Sequence, residues 1–138
     1  MSRSVSMQFG KPGGVVQNNG ADQNSTAQLN PTSISPTNKV SSCEELNLVR
    51  KGSVVQVSGN VKMASNATGT YTDHTAFTGA PSALVTGGEQ MMGGVVIWDG
   101  GNVTSAVYVN GSGEVVFRAR NNAITSRQGV FFVTYIAQ

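Results

Sequence analysis

The sequence predicts an all-β protein, and three observations carry that expectation. Leucine occurs only four times while valine dominates the apolar set, a bias toward pleated, half-buried surfaces. From Lys39 onward, apolar and polar residues alternate with a period of two between turn signals. Most of the glycines after Lys39 fall at those turn signals, and no segment carries a convincing apolar stripe at helical spacing.

Residues 1–38 stand apart. They hold three charges, one aromatic (Phe9), three prolines and clusters of Asn, Gln, Ser and Gly, so alone they cannot offset their own ordering entropy. This part reads as an extended anchoring or linker segment, with residues 39–138 as the folded unit. Residues 43–48 fit either one helical turn or an alternating strand. Residues 52–63 place Val55, Val57, Val61 and Met63 on one face and Gln56, Ser58, Asn60 and Lys62 on the other, with Gly59 marking a bulge.

Residues 64–92 are rich in small polar residues and glycine, and read as long loops with a short strand or two, a place where function often resides. Residues 93–98 form a strand that is apolar on both faces. Asp99-Gly-Gly-Asn102 is a turn, residues 103–109 a strand, Asn110-Gly-Ser-Gly113 a second turn and residues 114–120 the next strand, which together make an antiparallel meander. Residues 129–137 direct Phe131, Val133, Tyr135 and Ala137 to one side and Val130, Phe132 and Ile136 to the other. Both sides need cover, so a second sheet, a loop or another subunit is expected on the far face. The assembled expectation is an antiparallel β-sandwich, jelly-roll-like, whose core or interface takes in Val55, Val57, Val61, Val96, Trp98, Val107, Val115, Phe117, Phe131 and Val133.

Charge narrows the function classes. The net charge is +2 and charged residues make up 12% of the chain, about half the roughly 25% usual in soluble domains. No nucleic-acid partner is expected from so weak and dispersed a basic set. No apolar run reaches the roughly 18 residues of a membrane span, and no apolar stretch follows Met1, so neither membrane insertion nor a signal peptide is expected. The single Cys43 has no intramolecular disulfide partner, which fits synthesis in a reducing cytoplasm.

Catalytic constellations are sparse. His74 is the only histidine, and its neighbour Asp73 points to the opposite side of an extended strand. One His and one Cys far apart give no metal-ligand spacing, the glycine pairs never resolve into a phosphate-binding loop, and of the seven carboxylates only Glu44 and Glu45 are adjacent, while Asp73, Glu89, Asp99 and Glu114 are scattered among loops and turns. The expectation is a non-enzymatic protein without cofactor or metal. Arg118 and Arg120, two apart, share one face and fit either a solvated surface or an acidic partner. Aromatics near turns with carboxylates and amides suit a sugar site. Trp98 with Asp99 and Asn102, and Tyr71 with Asp73 and His74, meet that description, although Trp98 also closes an apolar strand, where core or interface packing competes with ligand stacking.

Residues 46–61, with the opening Lys-Gly-Ser-Val-Val-Gln-Val-Ser-Gly at 51–59, the Asp-Gly-Gly-Asn-Val turn at 99–103 and the final aromatic strand with Thr134-Tyr135, resemble the C-terminal head domains of tailed-phage fibre and baseplate proteins. The Gly-Gly-Val-Val-Gln-Asn-Asn-Gly at 13–20 is similar to segments that precede such domains. The resemblance implies a β-sandwich head, a homotrimer, that binds host cell-surface glycan or decorates a virion, joined to other virion proteins through residues 1–38. It offers no fixed site motif to carry over. The chain lacks the shaft, heptads and repeats of a full fibre, so a capsid decoration, head-fibre or tail-accessory subunit, assembled in the host cytoplasm and exposed on the particle, competes with a dedicated receptor-binding module or secreted adhesin.

Overall fold

The computed structural model describes residues 28–29, 33–85 and 91–138. Among them there are nine strands and no helix: β1 (Gln28–Leu29), β2 (Ser35–Pro36), β3 (Val40–Lys51), β4 (Val54–Met63), β5 (Thr72–Thr78), β6 (Met91–Trp98), β7 (Val103–Val109), β8 (Val115–Ala119) and β9 (Gln128–Ile136). They form one hydrogen-bonded series in the order β1-β3-β4-β9-β6-β7-β8-β5-β2, and every neighbouring pair is antiparallel. The all-β antiparallel expectation is met. The two sheets of a sandwich are replaced by one sheet curled into a nearly closed barrel.

The chain itself brings the ends of the series together. β2 pairs with β5, and three residues later β3 begins its long ladder with β4. Thr37 stitches that passage: its amide donates to the Ala76 carbonyl at 2.9 Å and its hydroxyl to the Thr75 carbonyl at 2.6 Å. β1 lies on the outer edge of β3 through Arg50 and Val49, and Ile34 packs on the core. Residues 28–29 and 33–36, read from composition as part of an extended segment, therefore line the seam of the barrel. Their backbone groups occupy edges that an open sheet would leave unpaired.

Alternation decides which side of each strand faces in. In β4 the burial runs strictly in twos, with Val55, Val57, Val61 and Met63 buried and Val54, Gln56 and Lys62 exposed. All ten core residues expected from the sequence are buried. The interior is built around four aromatic rings: Phe77 stacks on Phe131 at 5.4 Å, Phe117 meets Phe131 edge-on at 5.1 Å, and Trp98 meets Phe117 edge-on at 5.8 Å. Burying each such ring stabilises the fold by roughly 1.5 to 3 kcal/mol before entropy, so this cluster is the centre of the packing.

The bulge suggested by Gly59 falls on the partner strand. The β3–β4 register shifts between Glu44 and Asn47, so Glu45 and Leu46 together oppose Gly59. Leu46 tucks toward the core, where its Cα lies 3.3 Å from the position of a β-carbon on residue 59. Glu45 takes a left-handed φ of 54°, and consecutive Glu44 and Glu45 are both exposed instead of alternating. Residues 43–48 are thus a bulged strand, not a helical turn.

β9 presents the two apolar sides anticipated. Phe131, Val133 and Tyr135 face the core, whereas Val130, Phe132 and Ile136 face outward and remain exposed. No described segment of the chain covers that outer face.

Candidate functional site

The residues selected from the sequence gather at one end of the barrel. Trp98 ends β6, Val103 starts β7, Ala119 ends β8 and Thr72 starts β5, so the 99–102 turn, the 64–71 loop and the 120–127 loop share that end. The Tyr71 and Trp98 groups are nonetheless separated by β8 and β7 in the sheet order.

Trp98 faces inward and is fully buried. Its Nε1–H donates to Ser105 Oγ at 3.0 Å, which satisfies the one polar atom that burial would otherwise strand. No face of the indole is open to a sugar. Asp99 and Asn102 remain at the surface as parts of the turn: Asn102 Nδ2 donates to the Asp99 carbonyl at 3.1 Å, and the Asp99 carboxylate pairs with Arg127. Arg127 Nε in turn donates to the Ala123 carbonyl at 2.9 Å, so the ion pair ties the 99–102 turn to the 120–127 loop.

Asp73 and His74 point to opposite sides, as the strand period requires. Outward, Asp73 accepts from Arg118 Nε and Nη2 at 3.1 and 3.0 Å, from Arg120 Nη1 at 3.3 Å and from the Tyr108 hydroxyl at 2.9 Å. The Arg118 hydrogen bonds, with help from Tyr108 and Arg120, hold its carboxyl below the usual range despite partial burial. The Arg118 guanidinium also lies over the Tyr108 ring, 4.9 Å from its centroid, a cation–π contact. The two arginines that shared a face in the sequence thus converge on a carboxylate of their own chain. Inward, His74 is buried, its Nε2 has no hydrogen-bond partner, and burial followed by the nearby Lys39 charge lowers its pKa.

Tyr71 is the member that remains open. Its side chain is 70% exposed on a backbone with φ of 54°. The phenol hydroxyl donates to Asn121 Oδ1 at 2.8 Å, and the Tyr71 amide donates to the Arg120 carbonyl at 3.0 Å. A shallow cavity of about 170 Å³ beside it is lined by Thr104, Ser105, Ala106, Arg118, Arg120, Asn121 and Asn122. Asn121 was not singled out from the sequence, because the contact that recruits it joins residues 50 positions apart.

A second surface emerges only in three dimensions. A groove of about 540 Å³ crosses the outer face at this same end, with Ile97 and Val130 as apolar lining and Glu44, Asn60, Asp99 and Gln128 as polar lining. The adjoining hollow adds Glu45, Asn47 and Ser58, and Asn60 Nδ2 donates to Glu45 Oε1 at 3.1 Å. The signal for this groove in the sequence was the doubly apolar β9; the bulge that delivers the two glutamates was marked only by Gly59, on the strand opposite. Among the described residues, no group of three or more His, Cys, Asp or Glu is arranged to hold a metal ion. Cys43 is a free thiol whose pKa is raised by burial and by Glu44.

No protein-family model matches the chain, and none of the curated proteins is significantly similar to it. Fold and surface therefore carry the functional reading: an antiparallel barrel with a filled core, one loop-bearing end and an apolar outer face that no described residue covers.

Proposed function

We propose that the chain is a non-enzymatic structural subunit of a tailed-bacteriophage particle, an oligomeric β-barrel that decorates the capsid or tail and is joined to it through the residues preceding β1. The observation that supports this reading best is the exposed apolar row of β9, Val130, Phe132 and Ile136, with Ile97 of β6 and Val54 of β4 beside it. Contiguous apolar surface of this kind marks a protein–protein contact. The resemblance of residues 46–61, 99–103 and 129–137 to phage head domains supplies the particle. Expressing the tagged chain in infected cells and purifying virions tests it. The full chain should copurify with particles and be located on them by immunogold labelling, whereas a chain lacking residues 1–27 should stay in the lysate with an unchanged circular dichroism spectrum. Particles free of the full chain overturn the reading.

Tyr71 favours a second reading, adhesion to host glycan. An exposed aromatic ring beside Asn121 and Arg120 offers a stacking face with directional donors and acceptors. In this reading Tyr71 takes the place of Trp98 as the platform. Tyr71→Ala should then abolish cell or glycan-array binding with no change in melting temperature; wild-type binding by that variant removes the reading.

A further inference from the structure

The hollow beside Tyr71 carries an inference that rests on the glycan reading above and deepens it, because its residues select the kind of sugar. Tyr71 sits in the left-handed region at φ 54°, a conformation unfavourable for a bulky side chain and concentrated at functional positions. Two bonds hold it there, from its amide to the Arg120 carbonyl and from its hydroxyl to Asn121 Oδ1. The outcome is a ring 70% exposed, tied through Asn121 to the rim of a hollow of about 170 Å³.

Charge narrows what the hollow can hold. Thr104, Arg118, Arg120, Asn121 and Asn122 line it, and no described carboxylate does. Asp73 touches both arginines, but unequally: it accepts from Arg118 Nε and Nη2 at 3.1 and 3.0 Å and from Arg120 only through Nη1, at 3.3 Å. Two arginines against one aspartate leave a local charge of +1. Arg120 Nη1 is also held by the Ala119 carbonyl at 3.0 Å. Its Nε and Nη2 have no acceptor among the described residues, and its side chain is 41% exposed. The other charges toward this end leave that excess in place. Asp99 is paired with Arg127, and Lys39 donates to the Asn66 carbonyl. Glu44, Glu45 and Lys62 lie on β3 and β4, which β9 and β6 separate from β7, and β5 and the 33–39 passage separate from β8.

We propose that the hollow binds a carboxylate-bearing sugar of a host glycan, a hexuronic or sialic acid residue, with its carboxylate on the open edge of Arg120 and its ring against Tyr71. Nε and Nη2 are two parallel donors in one guanidinium plane, the arrangement from which a carboxylate accepts both bonds at once. Asn121 Nδ2, Asn122 and Thr104 supply neutral donors and acceptors for hydroxyl groups, and the exposed aromatic face packs on the C–H side of a pyranose. A single excess charge among neutral amides and hydroxyls suits a monoanion. Arg118, committed to Asp73 and stacked over Tyr108, is a positioning residue for this set.

A glycan array that carries uronate- and sialate-bearing oligosaccharides beside their carboxyl methyl esters tests this on the full chain, with titration calorimetry on the pairs that bind. Wild type should bind the acids and lose about tenfold on the esters, as expected for a hydrogen bond to a charged group. Arg120→Gln should lose a similar factor on the acid and nothing on the ester, with an unchanged circular dichroism spectrum, and Arg120→Lys should recover part of the loss. Asp73→Asn removes the carboxylate that competes for Arg120 and should tighten binding of the acid, a gain that no loss of structure produces. Equal affinity for acid and ester, a preference for sulfated over carboxylated members, or wild-type binding of the acid by Arg120→Gln would each overturn the acidic-sugar assignment and leave adhesion through Tyr71 standing. Failure to bind any glycan on the array or on host cells, or unchanged binding by Tyr71→Ala, would remove both.

Discussion

Gly129 lies opposite Trp98 in the β6–β9 ladder, and a β-carbon at residue 129 would stand 2.7 Å from Trp98 Cε3 and 2.6 Å from the Ile97 carbonyl oxygen. The second of these atoms is backbone and cannot swing away. Gly129→Ala should therefore destabilise the barrel by about 1 to 3 kcal/mol, the range for overpacking a tight site. A lowered urea midpoint with an unchanged m-value is the expected result.

Trp98→Ala tests the other side of the same contact. The indole fills space between the β6–β9 ladder and Phe117 and donates to Ser105, so truncation leaves a cavity and costs about 3 to 5 kcal/mol. Thermal melting should show the loss directly. Trp98→Phe should recover most of the packing and lose only the hydrogen bond, about 1 kcal/mol. Wild-type stability for the alanine variant would contradict the assignment of Trp98 to the core.

Local alternation made β4, β7 and β9 readable, because one side of each strand is buried and a period of two records that. It also identified Val130, Phe132 and Ile136 as a second apolar side. Closure was not readable: it depends on Ser35 and Pro36 pairing with Thr78 and Phe77, some 40 residues away, and neither partner signals the other. The bulge was located to within one strand, since Gly59 marks the place but the extra residue is Glu45 or Leu46 across the ladder. For the candidate site, the sequence put Asp73 and His74 on opposite sides. It did not disclose that Arg118, 45 positions away, occupies the Asp73 carboxylate, or that Arg127 occupies Asp99. Pairings between distant side chains leave no periodic trace, so the sequence could not show that both candidate carboxylates are paired with arginines of their own chain.

Asp73→Asn should loosen that end modestly. The pairs are partly solvent-exposed, so the loss is about 1 kcal/mol rather than the several expected of a buried network. Because the folded-state pKa of Asp73 is lowered from 3.8, its contribution is fully present above the unfolded value and is lost as pH falls through the folded one. The wild-type and Asp73→Asn melting curves should differ at pH 6 and converge toward pH 2. High salt should narrow the difference at pH 6.

His74 should make the fold acid-sensitive in a higher window. Its ring lies on the inner side of β5, opposite Phe117 in the ladder. The groups that bear on its charge are Lys39, which opposes protonation, and Asp73 and the Thr68 backbone, which favour it; burial outweighs the favourable pair and the pKa falls below 6.5. An unfolded chain therefore binds more protons at this residue than the folded one as pH drops below about 7. Stability is fully present above the unfolded value and declines as pH falls through 6.5 toward the folded pKa, by at most about 1.4 kcal/mol per pH unit. Asp73 acts only near and below pH 3.8, so the two windows separate. His74→Phe removes the titration together with the unpartnered Nε2 and keeps a ring in the core. The difference in unfolding free energy between wild type and His74→Phe should shift in the variant's favour between pH 7.5 and pH 5.5. A difference that stays constant across that range would mean that His74 has the same proton affinity folded and unfolded, against the lowering that its burial and the Lys39 charge produce.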